Sequence, residues 1–193
     1  SGMEDEPTAN EQLAQAKEAL TELNLERSEI MVLSLGRSVI AWSYLERAVE
    51  HSLGILLTAH GVPFAESEII STNVSLRDRV PLIATLAHRK FASAPWFDEL
   101  IDLTNLASNE LRNRRNRIVH DAWADDTGRL SRRSSSKPKL IRPQSRKYDL
   151  QIPGFEPVEF DSISSFITDC LAAANKLCKL NTKMVETAEK AQR

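Results

Sequence analysis

"LRNRRNRIVHDAW", residues 111–123, is where helical spacing in this chain gives way to loop chemistry, and its reading decides the fold. Leu111 and Ile118 lie two helical turns apart on one face, and Leu100, Leu103 and Ala107 extend the same arc upstream. A helix from about Pro95 to His120 follows, with Pro95 suited to the first helical position and Asp98 and Glu99 favourable in the first turn. Beyond it the texture changes. Trp123 to Phe160 holds Asp-Thr-Gly, Ser-Ser-Ser, Lys-Pro, Arg-Pro and Ile-Pro-Gly, all turn chemistry, with "RLSRR", "KLIRP" and "KYDLQI" between them as short strands of an exposed ribbon.

Outside this boundary the chain reads as helix. Glu11 to Glu22 is helical by propensity, and a longer helix spans Glu26 to His60. Its apolar positions Ile30, Leu33, Val39, Trp42, Leu45, Val49, Leu53 and Leu56 step mostly by three and four, and Gly61-Val62-Pro63 stops it. A loop to Val74 precedes a third helix, entered through Ser75-Leu-Arg-Asp78, an N-cap with an acid three residues on. Asp161 caps a last helix striped by Ile163, Phe166, Ile167, Cys170, Leu171, Ala174, Leu177 and Met184. The expected fold class is all-α, a bundle of about five helices with a small β-ribbon or loop insertion before the last. Residues 1–10 are expected to form a flexible tail beginning with an expression scar, and 11–193 one helical domain with the insertion at 121–160.

Composition narrows the function classes. An apolar fraction of 41% and a charged fraction of 27% are globular values. The apolar runs fall short of a membrane span, no charged-then-apolar leader is present, and the two cysteines, Cys170 and Cys178, are too far apart on one helix to bridge. A reducing cytoplasm is the expected setting, with no cofactor, and no Cys/His cluster carries metal-ligand spacing. The net charge of −2 conceals an asymmetry. Glu110 to Lys147 holds 12 Lys/Arg against 4 Asp/Glu, leaving 13 and 23 of the chain's 25 and 27 elsewhere. That is either a local anion site or a solvated helix end running into a charged loop.

On an ideal helix Arg114 and Arg115 flank the Leu111/Ile118 stripe on opposite sides, while Arg112 and Arg117 point further out. Asn116 and His120 are four apart, within reach of each other, and His120 projects nearly opposite the stripe. A histidine in that direction faces solvent or another chain. Macrodipole stabilisation of cations at a helix C-terminus accounts for some of the arginines but not for the histidine.

Arg115-Asn116-Arg117-Ile118-Val119-His120 resembles the R-x4-6-H motif of HEPN domains, including the polar residue that often follows the arginine. "AWSYLERAVEH" (41–51), "SLRDRVPLIATLA" (75–87) and the tryptophan after the motif are similar to segments of bacterial HEPN-like proteins. The resemblance implies an all-α homodimer and a metal-independent endoribonuclease, a possible toxin or phage-defence component silenced by an antitoxin or nucleotidyltransferase partner. It implies His120 for proton transfer, Arg115 for the phosphate, and Asn116 to orient the imidazole or touch phosphate. Glu46, on one face with Trp42, Val49 and Leu53, either pairs with Arg115 or orients His120, or forms a structural salt bridge for which Arg114 is a candidate. Arg114 is a rival motif arginine. Arg114, Arg117, Arg129, Arg132, Arg133, Lys137, Lys139 and Arg142 are the candidates for tracking an RNA backbone. The alternatives are a non-catalytic HEPN-like module that dimerises and binds RNA or protein, and a helical interaction protein with no nucleic-acid function.

Overall fold

The computed structural model describes residues 9–126, 129–133, 139–141, 149–151, 155–158 and 160–190. Its fold is all-α, with six α-helices among the described residues: α1 (Ala9–Ala59), α2 (Phe64–Asn73), α3 (Leu76–Phe91), α4 (Phe97–Leu106), α5 (Arg112–His120) and α6 (Phe160–Lys190). A π-helical turn, Ala107–Leu111, joins α4 to α5. Five short strands lie between α5 and α6. β1 (Ala122–Asp126), β2 (Arg129–Arg133) and β5 (Phe155–Pro157) form one antiparallel sheet in the order β1-β2-β5, and β3 (Lys139–Ile141) pairs with β4 (Asp149–Gln151). The chain divides into two compact units, Ser1–Leu35 with His120–Phe160, and Gly36–Val119 with Asp161–Arg193. No helix among the described residues is long and apolar enough to cross a membrane.

The second unit holds the hydrophobic core. Trp42, Leu45, Val49, Leu53 and Leu56 of α1 are buried with Val80, Ile83 and Ala87 of α3, Leu100 and Leu103 of α4, and Ile163, Phe166, Cys170, Ala174 and Leu177 of α6. Each fully withdrawn Leu or Ile contributes about 1.5–3 kcal/mol, so these stripes drive the assembly. One polar network crosses them: buried Asn181 donates Nδ2 to Ala48 O at 3.1 Å and accepts at Oδ1 from Ser52 Oγ at 2.7 Å.

The helix ends follow from local chemistry. Gly61, at φ 90°, ends α1 in a Schellman arrangement, with Val62 N donating to Leu57 O at 3.1 Å and Gly61 N to Thr58 O at 2.9 Å. Lys90 Nζ donates to Ala59 O and the His60 ring bonds Leu86 O at 2.9 Å, which fastens that end to α3. Ser75 caps α3 as the sequence indicates: Asp78 N donates to Ser75 Oγ at 3.3 Å, and the hydroxyl donates to Asp78 Oδ2 at 2.6 Å.

Several boundaries differ from expectation. Glu11–Glu22 and Glu26–His60 are one helix, because Leu23-Asn24-Leu25 contains no breaker. Ile30, Leu33 and Val39 are exposed, off the face on which Ser34, Ser38, Ala41 and Trp42 are buried. The expected loop before Val74 contains α2, whose buried positions are Ser67 and Ser71 while Phe64 and Ile69 are exposed. Its polarity pattern is inverted, so hydrophobic spacing carried no sign of a helix there. Arg79, itself buried, closes the end of α2 by donating Nε to Ser71 O at 3.0 Å and Nη2 to Thr72 O at 3.3 Å, beside Glu50 Oε2 at 3.4 Å. Helix α4 begins at Phe97 rather than Pro95, since buried Trp96 occupies the capping position and donates Nε1 to Thr187 Oγ1 at 3.1 Å. Asp161 lies in the first turn of α6, not at its cap, where its charge complements the macrodipole. Leu171 is exposed, off the α6 stripe.

Replacing Asn181 strands buried polar groups. Asn181→Ala is expected to lower stability by about 1–3 kcal/mol in urea unfolding; an unchanged denaturation midpoint contradicts the role given to this network.

Candidate functional site

Helix α5 carries the arginine-rich stretch, and the π turn before it sets its phase. A π turn widens the helix by about one residue, so side chains after it are turned relative to those before it. The arginines are therefore phased from Leu111 and Ile118, both buried, rather than from Leu100.

The four arginines separate by environment, and Arg112, expected to point outward, is half-buried. Arg114 is drawn inward: its Nη1 lies 2.6 Å from Asp169 Oδ2 and its Nη2 donates to Ser165 Oγ at 3.2 Å. Its guanidinium also sits 5.4 Å from the centre of the Phe166 ring, and Glu110 lies one turn earlier at 3.9 Å. This is a clamp between α5 and α6, built from a carboxylate, a hydroxyl and an aromatic face. Arg115 is half-buried, and its Nη1 donates to Asn116 Oδ1 at 3.2 Å. Asn116 is half-buried too, while Arg117 is exposed. His120, the last residue of α5, is exposed, in agreement with its placement opposite the core stripe.

Asp121 follows at once and is buried, with Oδ2 3.4 Å from Arg132 Nε. Arg132 in turn lies 6.0 Å from the centre of the half-buried Trp123 ring, and Trp123 pairs with Arg132 across β1 and β2. That arginine has 17% of its side chain exposed and serves the local packing of the sheet. Arg129 and Arg133 lie on β2 and Lys139 on β3, in the strands that "RLSRR" and "KLIRP" indicated. Lys137 and Arg142 lie outside the described residues.

Glu46 does not join Arg114, which is committed to Asp169 and Glu110. It is half-buried on α1 near Trp42, Val49 and Leu53 in sequence, all three of which are buried. Sequence reasoning missed Asp169, whose signal was present: Ser165, Phe166 and Asp169 are one turn of α6, with a carboxylate beside an inward-facing ring. It also missed Glu50, which lies near Arg79, Arg47 and Thr72 at 3.4, 3.5 and 3.4 Å.

Comparison with protein-family models, with curated proteins and with solved structures finds no match to this chain. Helix α5 itself carries a half-buried arginine, a half-buried asparagine and an exposed histidine within six consecutive residues, 115–120.

Burial beside the clamp sets the reactivity of Cys170. Burial pushes its thiol up to about 12; Arg114 opposes that rise and Asp169 adds to it. Thiolate is the nucleophile, so at pH 8 this thiol is almost wholly protonated and inert. Cys178 is exposed. An Ellman titration of the native chain at pH 8 is expected to register one rapidly reacting thiol, with the second appearing only on unfolding. Two rapid thiols contradict the burial of Cys170.

Proposed function

We propose that this chain is a HEPN-like, metal-independent endoribonuclease that works as a homodimer. The observation that carries the reading is His120: an exposed imidazole at the end of α5, five residues after an arginine–amide pair joined at 3.2 Å. The pairing of Arg114 with Asp169 supports the choice of Arg115, because the rival arginine within the motif's spacing is already held against α6.

The reaction asks for a base at the ribose 2′-hydroxyl, an acid at the departing 5′-oxygen and positive charge on the phosphorane. One neutral His120 removes the 2′-proton as the 2′-oxygen attacks phosphorus. The P–O5′ bond then breaks, and a protonated His120 delivers a proton to the 5′-oxygen. The products are a 2′,3′-cyclic phosphate and a 5′-hydroxyl. Arg115 donates a fork of hydrogen bonds to the non-bridging oxygens as charge develops there, and Asn116 holds that guanidinium through its Oδ1. A single chain supplies one such histidine, so two copies of the motif are needed for base and acid together. In this reading Arg117 adds charge along a bound RNA backbone, and Arg129, Arg133 and Lys139 stay candidates for the same role from their place in the sequence. An antitoxin or nucleotidyltransferase partner that covers α5 fits the same reading.

The purified chain is expected to cleave single-stranded RNA in EDTA, leaving cyclic phosphate ends. His120→Ala, with its circular dichroism unchanged, is expected to lower the rate by about 10²–10⁴-fold. Full activity in that variant would falsify the assignment. Salt-sensitive RNA binding that Arg115→Ala weakens, with no product at any enzyme concentration, would instead support a non-catalytic RNA-binding module.

A further inference from the structure

We propose that the outer face of α1 is a self-association seam, on which a second copy of this chain packs antiparallel. The seam stands on α1 alone and would hold together the same homodimer that the proposed function calls for, though it holds whether or not His120 does chemistry.

Opposite the buried face of α1, an apolar row faces solvent. Val32 is 60% exposed, Leu33 64%, Val39 48%, Ile40 57% and Tyr44 62%. Single exposed apolar side chains are ordinary, but five within four turns of one helix face form a contiguous patch of the kind that marks an interface. The row keeps a seven-residue repeat: Val32 and Val39, Leu33 and Ile40, Gly36 and Ser43. A sustained seven-residue spacing is that of a helix facing another helix. Nothing lies within 4 Å of the position a Gly36 side chain would take, so the centre of the face is open.

The repeat resolves into two lines of residues: Leu33, Ile40 and Arg47 along one, Glu29, Gly36 and Ser43 along the other. In an antiparallel pair each line faces the other line of the second helix. With the two-fold axis beside Ser38, Ile40 meets Gly36, Leu33 meets Ser43 and Arg47 meets Glu29. Every layer then sets a large side chain against a small one, or a cation against an anion. Arg47 and Glu29 are both exposed, and the Arg47 contact with Glu50 on its own helix is 3.5 Å long. A parallel pair sets Arg47 against Arg47 and Glu29 against Glu29, so charge selects the antiparallel arrangement. From Glu29 to Arg47 the seam is about 27 Å long, at about 1.5 Å per residue. Glycine and serine at its centre allow the axes to approach toward the short end of the 8–10 Å range.

The test is sedimentation equilibrium of the full chain and of variants whose helix content is checked by circular dichroism. The native chain is expected at twice its formula mass. Gly36→Leu, which favours the helix of a lone chain but fills the hollow for Ile40, is expected to shift the protein to monomer. Arg47→Glu alone and Glu29→Arg alone are each expected to weaken the dimer about tenfold, since each pair occurs twice. The double reversal is expected to restore it to within about threefold of native. A native chain that stays monomeric at about 100 μM overturns the proposal, as does a dimer that ignores Gly36→Leu and both charge reversals.

Discussion

The contact between Arg114 and Asp169 ties α5 to α6 and, with Leu111 and Ile118 buried, holds α5 in the phase that the π-helical turn gives it. A guanidinium held at 2.6 Å by a carboxylate, bonded to Ser165 and laid over Phe166 cannot rotate away without losing all three. With Leu111 and Ile118 buried on the same side, the helix has one rotational setting. Arg115, Asn116, Arg117 and His120 take the remaining directions. A cluster of four arginines, costly if all pointed one way, is split among a clamped Arg114, half-buried Arg112 and Arg115, and exposed Arg117.

The same economy of charge operates in the sheet that follows. Asp121 is buried directly after His120 and lies against Arg132, which in turn flanks Trp123. Two of the cations that made the 110–147 stretch look uniformly basic are thus matched to carboxylates within their own compact units. The basic composition of that stretch therefore overstates the charge it leaves unmatched.

Most of the helices were legible in the sequence because their buried positions are apolar and regularly spaced. Trp42 to Leu56, Val80 to Ala87 and Ile163 to Leu177 fall where a 3.6-residue period puts them. The capping serine of α3 and the glycine that ends α1 were legible for the same kind of reason, a local chemistry with one solution. Helix α2 was not, because its inward residues are serines satisfied by their own turns and by Thr58, a solution that hydropathy does not see. The exposure of Ile30, Leu33 and Val39 was missed because apolar spacing marks a helix face without saying what covers it. At the candidate site the direction of His120 was readable from the wheel. The pairing of Arg114 with Asp169 was not, since the two are 55 positions apart and only the folded chain joins them.

The central claim is this division of labour between adjacent arginines, and it is tested most directly by measuring thermal unfolding and RNA turnover side by side for Arg114→Ala and Arg115→Ala. Loss of the clamp is expected to lower the unfolding midpoint of Arg114→Ala by about 3–8 °C, with RNA turnover per folded molecule largely kept. Arg115→Ala is expected to hold the native midpoint and lose turnover. The reverse pattern, a stable but inactive Arg114→Ala beside an active Arg115→Ala, contradicts the account.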